Sequence, residues 1–520
     1  MASSTFTLPA MEHVTDVLVI GGGPAATWAA LEAVRAGSRV ALVDKGYVGT
    51  SGAAAPTGVG TWFPPKASRR EAAERRAARS FGLADVGWTV RTLDESAAGL
   101  EQLAAWNYPF PHDETGALYT PNLRTADYMH FMRRRVRMSG VRVYDHHPAL
   151  HLIVSDGVVC GASGIARHSA RPWTIRAAAV IVATGGCVFG ERVQGAAGLT
   201  GDGYLMAVEA GAVLSSMEFI GQYGIVPFKT ASNKGLIYTW ATFMREDGTT
   251  IESHGEDRQV LVARALADGP VFARFDDVPP ELQRNLRAGQ PNILLPFNRA
   301  GINPFEERFP VMLRCEGTTR GVGGIRITGE TCATGVPGLF AAGDAASRER
   351  LTGAISGGGG PNSAWSIASG RWAGRSAASF AAHLGKRHET RSGAAVGTAR
   401  LQPAAVDVVK AEVLPVDRNF FRTGRTLERS LAQLNAAWST LRSPDGLSGM
   451  DALRTREAAA MTATARWSYT AALHRNESRG IHRRLDVPAI DPAFARTISV
   501  SGLDVVRVHD DAPVAEAIAS

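Results

Sequence analysis

Short, continuous apolar runs, each closed by glycine or an acidic residue, are the dominant pattern along this chain. Asp16-Val17-Leu18-Val19-Ile20 is such a run with β-branched character, as expected for a strand buried on both faces. Gly21-Gly22-Gly23-Pro24-Ala25-Ala26 follows at once, and the spacing then predicts a helix from Thr27 to Gly37. A second strand, Arg39 to Val43, ends in Asp44. A third, Ala178 to Val182, runs into Ala183-Thr184-Gly185-Gly186. A fourth, from Gly338, ends in Gly343-Asp344-Ala345. After the glycines at 357–360, Asn362-Ser363 open a helix through Trp365, Ile367 and Ala373. Further on, Leu427, Leu431, Leu434, Trp438 and Leu441 recur at four- and three-residue spacing, the stripe of a helix that faces a core. No run of eighteen or more apolar residues occurs, so no membrane-spanning helix is predicted.

Strand, glycine-rich turn, helix, strand and acid within about thirty residues make up a dinucleotide-binding motif. Each position has a task. Gly21 makes the tight turn, and Gly23 lets the backbone approach a pyrophosphate. The helix that follows offers unpaired N–H groups to phosphate, and Pro24 and Ala25, in the turn before it, are candidate cofactor contacts. Ala26 stands where the third glycine of the motif allows close packing of helix and strand. Asp44, followed by Lys45, can accept hydrogen bonds from both ribose hydroxyls, which a 2′-phosphate would prevent.

Composition narrows the reading. A length of 520 residues implies two or three packed units, and 45% hydrophobic with 20% charged residues is ordinary for a globular chain. The net charge of +7 arises from arginine, but no basic run is interleaved with aromatics as a nucleic-acid groove requires. Arg133-Arg134-Arg135 with Arg137 continues a helical pattern and reads as a solvated face. The four cysteines contain no Cys-x-x-Cys pair, so neither a zinc site nor an iron–sulfur cluster is expected. Met1 to Pro9 lacks a basic segment followed by an apolar stretch, and a cytoplasmic location is the expectation.

The separated motifs together resemble those of the succinate dehydrogenase/fumarate reductase flavoprotein family, which includes L-aspartate oxidase as a soluble member. The residues that carry the resemblance are the glycine turn, Thr200-Gly201-Asp202-Gly203, Ala210-Gly211-Ala212 and Met217-Glu218-Phe219. Gly323-Gly324-Ile325, Gly343-Asp344, Asn362-Ser363 with Gly370-Arg371, and Glu477-Ser478-Arg479-Gly480-Ile481-His482 follow in the family's order. The resemblance implies an α/β fold: a Rossmann-like two-dinucleotide-binding FAD domain with an inserted α+β capping domain and a C-terminal helical domain. On this reading the FAD domain spans 14–212 and 328–385, with a hairpin-like excursion near Val141 to Ile175. The cap spans 213–327 and the helical domain 400–520, after a linker near Ala382 to Ala405. Ser51, Gly52, Ala183, Thr184, Gly185, Asp202, Gly343, Asp344, Asn362 and Ser363 would hold the cofactor, with Gly343-Asp344 at the ribityl chain. Members with covalent flavin carry a histidine soon after the first acid; the stretch Gly49 to Ala55 has none, so non-covalent FAD is expected.

The family's substrate residues are largely replaced. Tyr223-Gly224 and Thr318-Thr319-Arg320 stand where it has histidines, and Ser356 with a glycine run stands where it has a carboxylate-binding arginine. Only Arg258 is a candidate for the family's proton-shuttling arginine, with Gln259 at the matching position. The expected function is an FAD-dependent dehydrogenase, oxidase or reductase that moves a hydride between flavin N5 and a small polar substrate other than succinate or fumarate. Candidate catalytic residues are Tyr223, Arg258, Glu316 and Arg320, with Arg314 a further polar group, and His482 reads as structural. A flavin monooxygenase drawing on external NAD(P)H and a non-catalytic electron-transfer subunit are the alternatives. The electron acceptor stays open among oxygen, a quinone and a redox protein.

Overall fold

The computed structural model describes residues 10–50, 52–56, 59–112, 115–233, 235–252, 258–289, 291–385, 394–396, 403–440 and 449–513. Its spine is a parallel sheet built from the apolar runs. Met11–Ile20 lies between Val40–Val43 and Pro172–Val182, and Leu339–Ala341 and Arg142–Tyr144 extend the parallel pairing on either side. Val17, Leu18 and Val19, Ala41 to Val43, and Ala177 to Val182 are wholly buried, which is why these strands carry no polar alternation. Ala149–Ser155, Val158–Ile165 and Pro172–Val182 form an antiparallel meander, the excursion expected between Val141 and Ile175.

Two helices tie the early and late parts of this unit together. Pro24–Arg35, the helix of the glycine turn, packs on Gly359–Leu384. The contact is backbone to backbone: a Cβ added to Gly370 would lie 2.5 Å from the Ala25 carbonyl oxygen, and one added to Gly374 would lie 2.4 Å from that of Ala29. Glycine four residues apart is what lets the second helix descend this far.

Residues 223–315 contain a separate five-stranded antiparallel sheet in the order Tyr223–Pro227, Phe309–Cys315, Val271–Arg274, Thr242–Arg245, Thr250–Ile251. It has its own core, in which Phe275 and Phe297 pack on Phe309 at ring separations of 5.0 and 4.6 Å.

Among the described residues beyond 402, three α-helices span Pro403–Val413, Gly424–Thr440 and Gly449–His474. The apolar stripe from Leu427 to Trp438 lies on the second of them, with Leu427 and Leu434 wholly buried; Leu441 lies outside the described residues. The tail departs from a purely helical expectation. Arg496–Ser501 and Arg507–Pro513 form a hairpin, and Arg496–Ser501 pairs with Leu214–Ser215. The cause is a period-two pattern in which Ile498 and Val500 point into the core.

A buried polar network closes this region onto the rest. Arg475 Nε donates to Glu218 Oε1 at 2.8 Å and Arg475 Nη1 to Glu477 Oε1 at 3.0 Å. Arg479 Nε donates to Glu477 Oε1 at 2.6 Å. His482 is wholly buried; its Nδ1 accepts from Arg422 at 2.6 Å, and its Nε2 donates to the Arg475 carbonyl at 3.0 Å. Burial and the neighbouring Arg422 and Arg475 hold its pKa well below the ordinary imidazole range, so His482 is a neutral structural link. Among the described residues no helix is long and apolar enough to cross a membrane.

Candidate functional site

The carboxyl ends of the parallel strands, the fingerprint helix and the cap enclose a cavity of about 510 Å³. Its floor is the glycine turn. Gly21 has φ +124°, and a Cβ there would lie 2.2 Å from the Ala183 carbonyl oxygen. A Cβ on Gly23 would meet no atom within 4 Å, so its backbone is open to a ligand. Pro24, Ala25, Gly52, Ala183, Thr184, Gly185, Gly343, Asp344, Asn362 and Ser363 line the same space.

Asp44 sits where the second strand ends, its Oδ1 accepting from the Gly46 N–H at 2.9 Å. Beside it, Lys45 Nζ donates to Asp202 Oδ2 at 2.7 Å, Thr200 Oγ1 at 2.9 Å and Glu457 Oε1 at 3.0 Å. Burial alone would lower the Lys45 pKa, but the two carboxylates outweigh it and the pKa is raised. Lys45 and Asp202 therefore brace the wall that they line. Asp344 is held in the same way: Arg348, wholly buried, donates to its Oδ1 at 2.8 Å and to the carbonyls of Thr318 and Gly321 at 2.7 and 2.8 Å. One guanidinium thus locks the cofactor wall to the 317–321 segment of the cap.

The cap contributes Asn233, Glu316, Thr319 and Arg320 to the cavity. Glu316 is wholly buried; Asn233 Nδ2 donates to its Oε1, and Arg320 Nε lies 3.4 Å from that oxygen. Burial raises the Glu316 carboxyl above its ordinary value despite Arg320 and the hydrogen bonds of Asn233 and Gln222. Six buried polar atoms on lining residues have no hydrogen-bond partner among the described residues: Thr184 Oγ1, Gln194 Oε1, Asn233 Oδ1, Glu316 Oε2, Thr319 Oγ1 and Asn362 Oδ1. Buried polar groups are ordinarily paired, so unpaired atoms on six residues around one cavity are consistent with a ligand site there. The open backbone at Gly23, the acid at the second strand's end and the small residues between them fit a flavin dinucleotide.

Several expected site residues lie elsewhere. Tyr223 does not reach the cavity: it is 1% exposed, packs edge-on against Phe420, and donates its hydroxyl to the Leu414 carbonyl at 2.9 Å. It alternates with Gly224 along the strand, and the glycine faces Glu316, with an added Cβ 3.0 Å from Oε1. Arg258 begins the helix Arg258–Asp268 and does not line the cavity; its Nε is buried without a partner among the described residues. Arg314 is consumed by an ion pair with Glu191 at 2.5 Å. Ala26 is buried beneath the cavity floor, in keeping with a packing task. Ser51 lies outside the described residues.

The residues that sequence reasoning missed are Asn233, Gln194 and Thr319. Gln194 precedes a run of small residues ahead of Thr200-Gly201-Asp202, a weak signal, and Thr319 lies just before the Gly323-Gly324-Ile325 motif. Asn233 sits in a loop with nothing in its sequence neighbourhood to single it out.

This fold and this cavity define an FAD-dependent oxidoreductase. The comparisons with known proteins give the family. Residues 16–361 match the FAD binding domain family, and residues 412–508 match the fumarate reductase flavoprotein C-terminal family. The chain belongs to the succinate dehydrogenase/fumarate reductase flavoprotein family. It is 27% identical to an L-aspartate oxidase of Mycobacterium leprae, covering 99% of each chain. It is 28% identical to a fumarate reductase flavoprotein subunit of Mycobacterium tuberculosis, covering 92% of each chain. The flavoprotein of Escherichia coli quinol fumarate reductase superposes with a TM-score of 0.79 at 22% identity, covering 97% of both chains.

Proposed function

We propose that this oxidoreductase carries out a two-electron oxidation or reduction of a small polar substrate other than succinate or fumarate, with FAD bound non-covalently. When bound, FAD supplies the hydride acceptor or donor at its N5 atom. The observation that carries the reading is Glu316 Oε2, a buried carboxyl oxygen without a partner among the described residues, on a residue that lines the cofactor cavity. Because Oε1 accepts from Asn233, the proton of the neutral acid belongs on Oε2. Burial favours that protonated form, so Glu316 can give a proton to a substrate atom, or take one in the reverse direction. Arg320 lies beside it with about a quarter of its side chain exposed, placed to hold an anionic group.

Three features support a changed substrate. By the resemblance, Thr318-Thr319-Arg320-Gly321-Val322 stands where the family has a histidine and Ser356 with a glycine run where it has an arginine, and Gly224 faces Glu316 where the strand offers no imidazole. Ser356 Oγ donates to the Arg320 carbonyl at 2.9 Å, a backbone task. A succinate-like ligand that loses two or three charge-assisted hydrogen bonds loses roughly 1.5–3 kcal/mol for each. Non-covalent FAD is supported by the absence of histidine from residues 49–55.

The test is an anaerobic absorbance titration of the purified holoprotein with succinate, aspartate and a panel of monocarboxylic hydroxy and amino acids. Bleaching of the oxidised flavin by a panel member, with turnover lost in Glu316→Gln, is the expected result. Bleaching by succinate at ordinary affinity, or full turnover in Glu316→Gln, refutes it. Reoxidation of the reduced protein by oxygen, a quinone or a redox protein then identifies the acceptor.

A further inference from the structure

The cap side of the cavity specifies more than the presence of an acid. Asn233 lies between the strand Tyr223–Pro227 and the turn Leu236–Trp240, and is 3% exposed. Its amide orientation follows from its partner: Nδ2 donates to Glu316 Oε1, which leaves Oδ1 without a partner among the described residues. The Thr319 hydroxyl is likewise unpaired among them, whereas its carbonyl accepts from Asn362 Nδ2 at 3.1 Å. Around Glu316 the cap therefore presents the Asn233 amide oxygen, the Thr319 hydroxyl and the Arg320 guanidinium, while the Gln222 side chain is already engaged with Glu316 itself.

The neighbouring guanidiniums do not add to that charge. Arg348 is wholly buried and directs its donors at Asp344 and at the carbonyls of residues 318–321, and Arg314 is paired with Glu191. A ligand that satisfies this side of the site brings one anionic group for Arg320 and one N–H or O–H for Asn233. A second carboxylate would instead lie against the Asn233 oxygen, acceptor facing acceptor.

We propose that Asn233 is the specificity-determining residue of this site. Its carboxamide oxygen accepts a hydrogen bond from a hydroxyl or amino group of the substrate while Arg320 holds a single anionic group, so the site takes a mono-anionic hydroxy or amino compound in preference to a dicarboxylate. The inference rests on the reading of Glu316 and Arg320 as the substrate end of the cavity, and it adds the chemical class of the substrate.

The experiment measures perturbation of the flavin absorbance of the oxidised holoprotein by lactate, alanine, propionate and succinate. Lactate and propionate, or alanine and propionate, differ in whether they carry a donor next to the carboxylate. Lactate or alanine binds at least about 10-fold tighter than propionate, the consequence of leaving a buried acceptor unpaired, and succinate binds no tighter than propionate. Which of the two is favoured separates a hydroxyl from an amino substrate.

In Asn233→Leu the preference falls to within about 2-fold, and the pH profile of binding moves upward because Glu316 loses the hydrogen bond that lowers its pKa. Flavin content, read from the same absorbance, shows that each variant is folded. An Asn233→Leu protein that retains the 10-fold preference overturns the inference, as does succinate bound as tightly as lactate and alanine, or no perturbation by either donor-bearing acid. Loss of turnover in Glu316→Gln together with unchanged discrimination in Asn233→Leu overturns this inference and leaves the acid reading standing.

Discussion

Replacing Arg475 by methionine isolates the contribution of the network that docks the C-terminal helices. The guanidinium is wholly buried and makes four hydrogen bonds: to Glu218 Oε1 at 2.8 Å, Glu477 Oε1 at 3.0 Å, the Phe494 carbonyl at 2.8 Å and the Arg496 carbonyl at 2.8 Å. The two carboxylates differ in what remains once it is gone. Glu477 keeps Arg479 at 2.6 and 3.0 Å and the Asp491 N–H at 2.7 Å. Glu218, wholly buried, is left with an Oε1 that has lost its arginine and an Oε2 that has no partner among the described residues. Stranding one buried charge costs about 3–5 kcal/mol, and that is the expected loss in Arg475→Met. Adding Glu218→Gln removes the stranded charge, so the double variant is more stable than the sum of the singles by at least about 2 kcal/mol. Urea unfolding, followed by the rise in flavin fluorescence as the cofactor is released, measures all four corners of the cycle. A single variant within about 1 kcal/mol of the parent, or a double variant as unstable as the sum, would refute the account of Glu218 as a charge held by Arg475.

Three other perturbations follow from the same geometry. Burial raises the Glu316 pKa above the ordinary 4.5, so the native state holds this proton more tightly than the unfolded chain does. The stability it contributes is fully present below the ordinary carboxyl range and is lost as pH rises through the raised value, and urea midpoints across pH should show this slope vanish in Glu316→Gln. Gly374→Ala would place a methyl 2.4 Å from the Ala29 carbonyl oxygen, and the two helices must part at a cost of about 1–3 kcal/mol, seen as a lower urea midpoint and weaker FAD retention. Tyr223→Phe loses a hydrogen bond to the Leu414 carbonyl, about 0.5–1.5 kcal/mol of stability, while kcat is unchanged; a large fall in kcat would return Tyr223 to the catalytic candidates.

What the sequence by itself determined is the cofactor end of the molecule. The tasks expected of Gly21, Gly23 and Asp44 are local: a tight turn, an open backbone and an acid at a strand end lie within one contiguous segment, and in the structure Gly21 abuts the Ala183 carbonyl, Gly23 has open space and all three line one cavity. The continuous apolar strands were legible for the same reason, since burial on both faces leaves a mark on every residue. Gly370 was named within a motif, but its pairing with Gly374 is a product of the packing against Ala25 and Ala29.

The substrate end was decided by tertiary structure. One residue of strand register puts Tyr223 into a core with Phe420 and turns Gly224 toward Glu316, a choice that the sequence of that strand, buried on both faces, does not disclose. Arg258 and Arg314 were candidates by residue type, yet the first lies off the cavity and the second is taken up by Glu191. Asn233 is 83 residues from Glu316, and Arg348 is four residues from Asp344 but locks a cap segment some thirty residues before it. Hydrogen bonds between side chains depend on distances of about 3 Å that only the folded chain fixes, so their partners leave no periodic trace in sequence, whereas burial and backbone turns do.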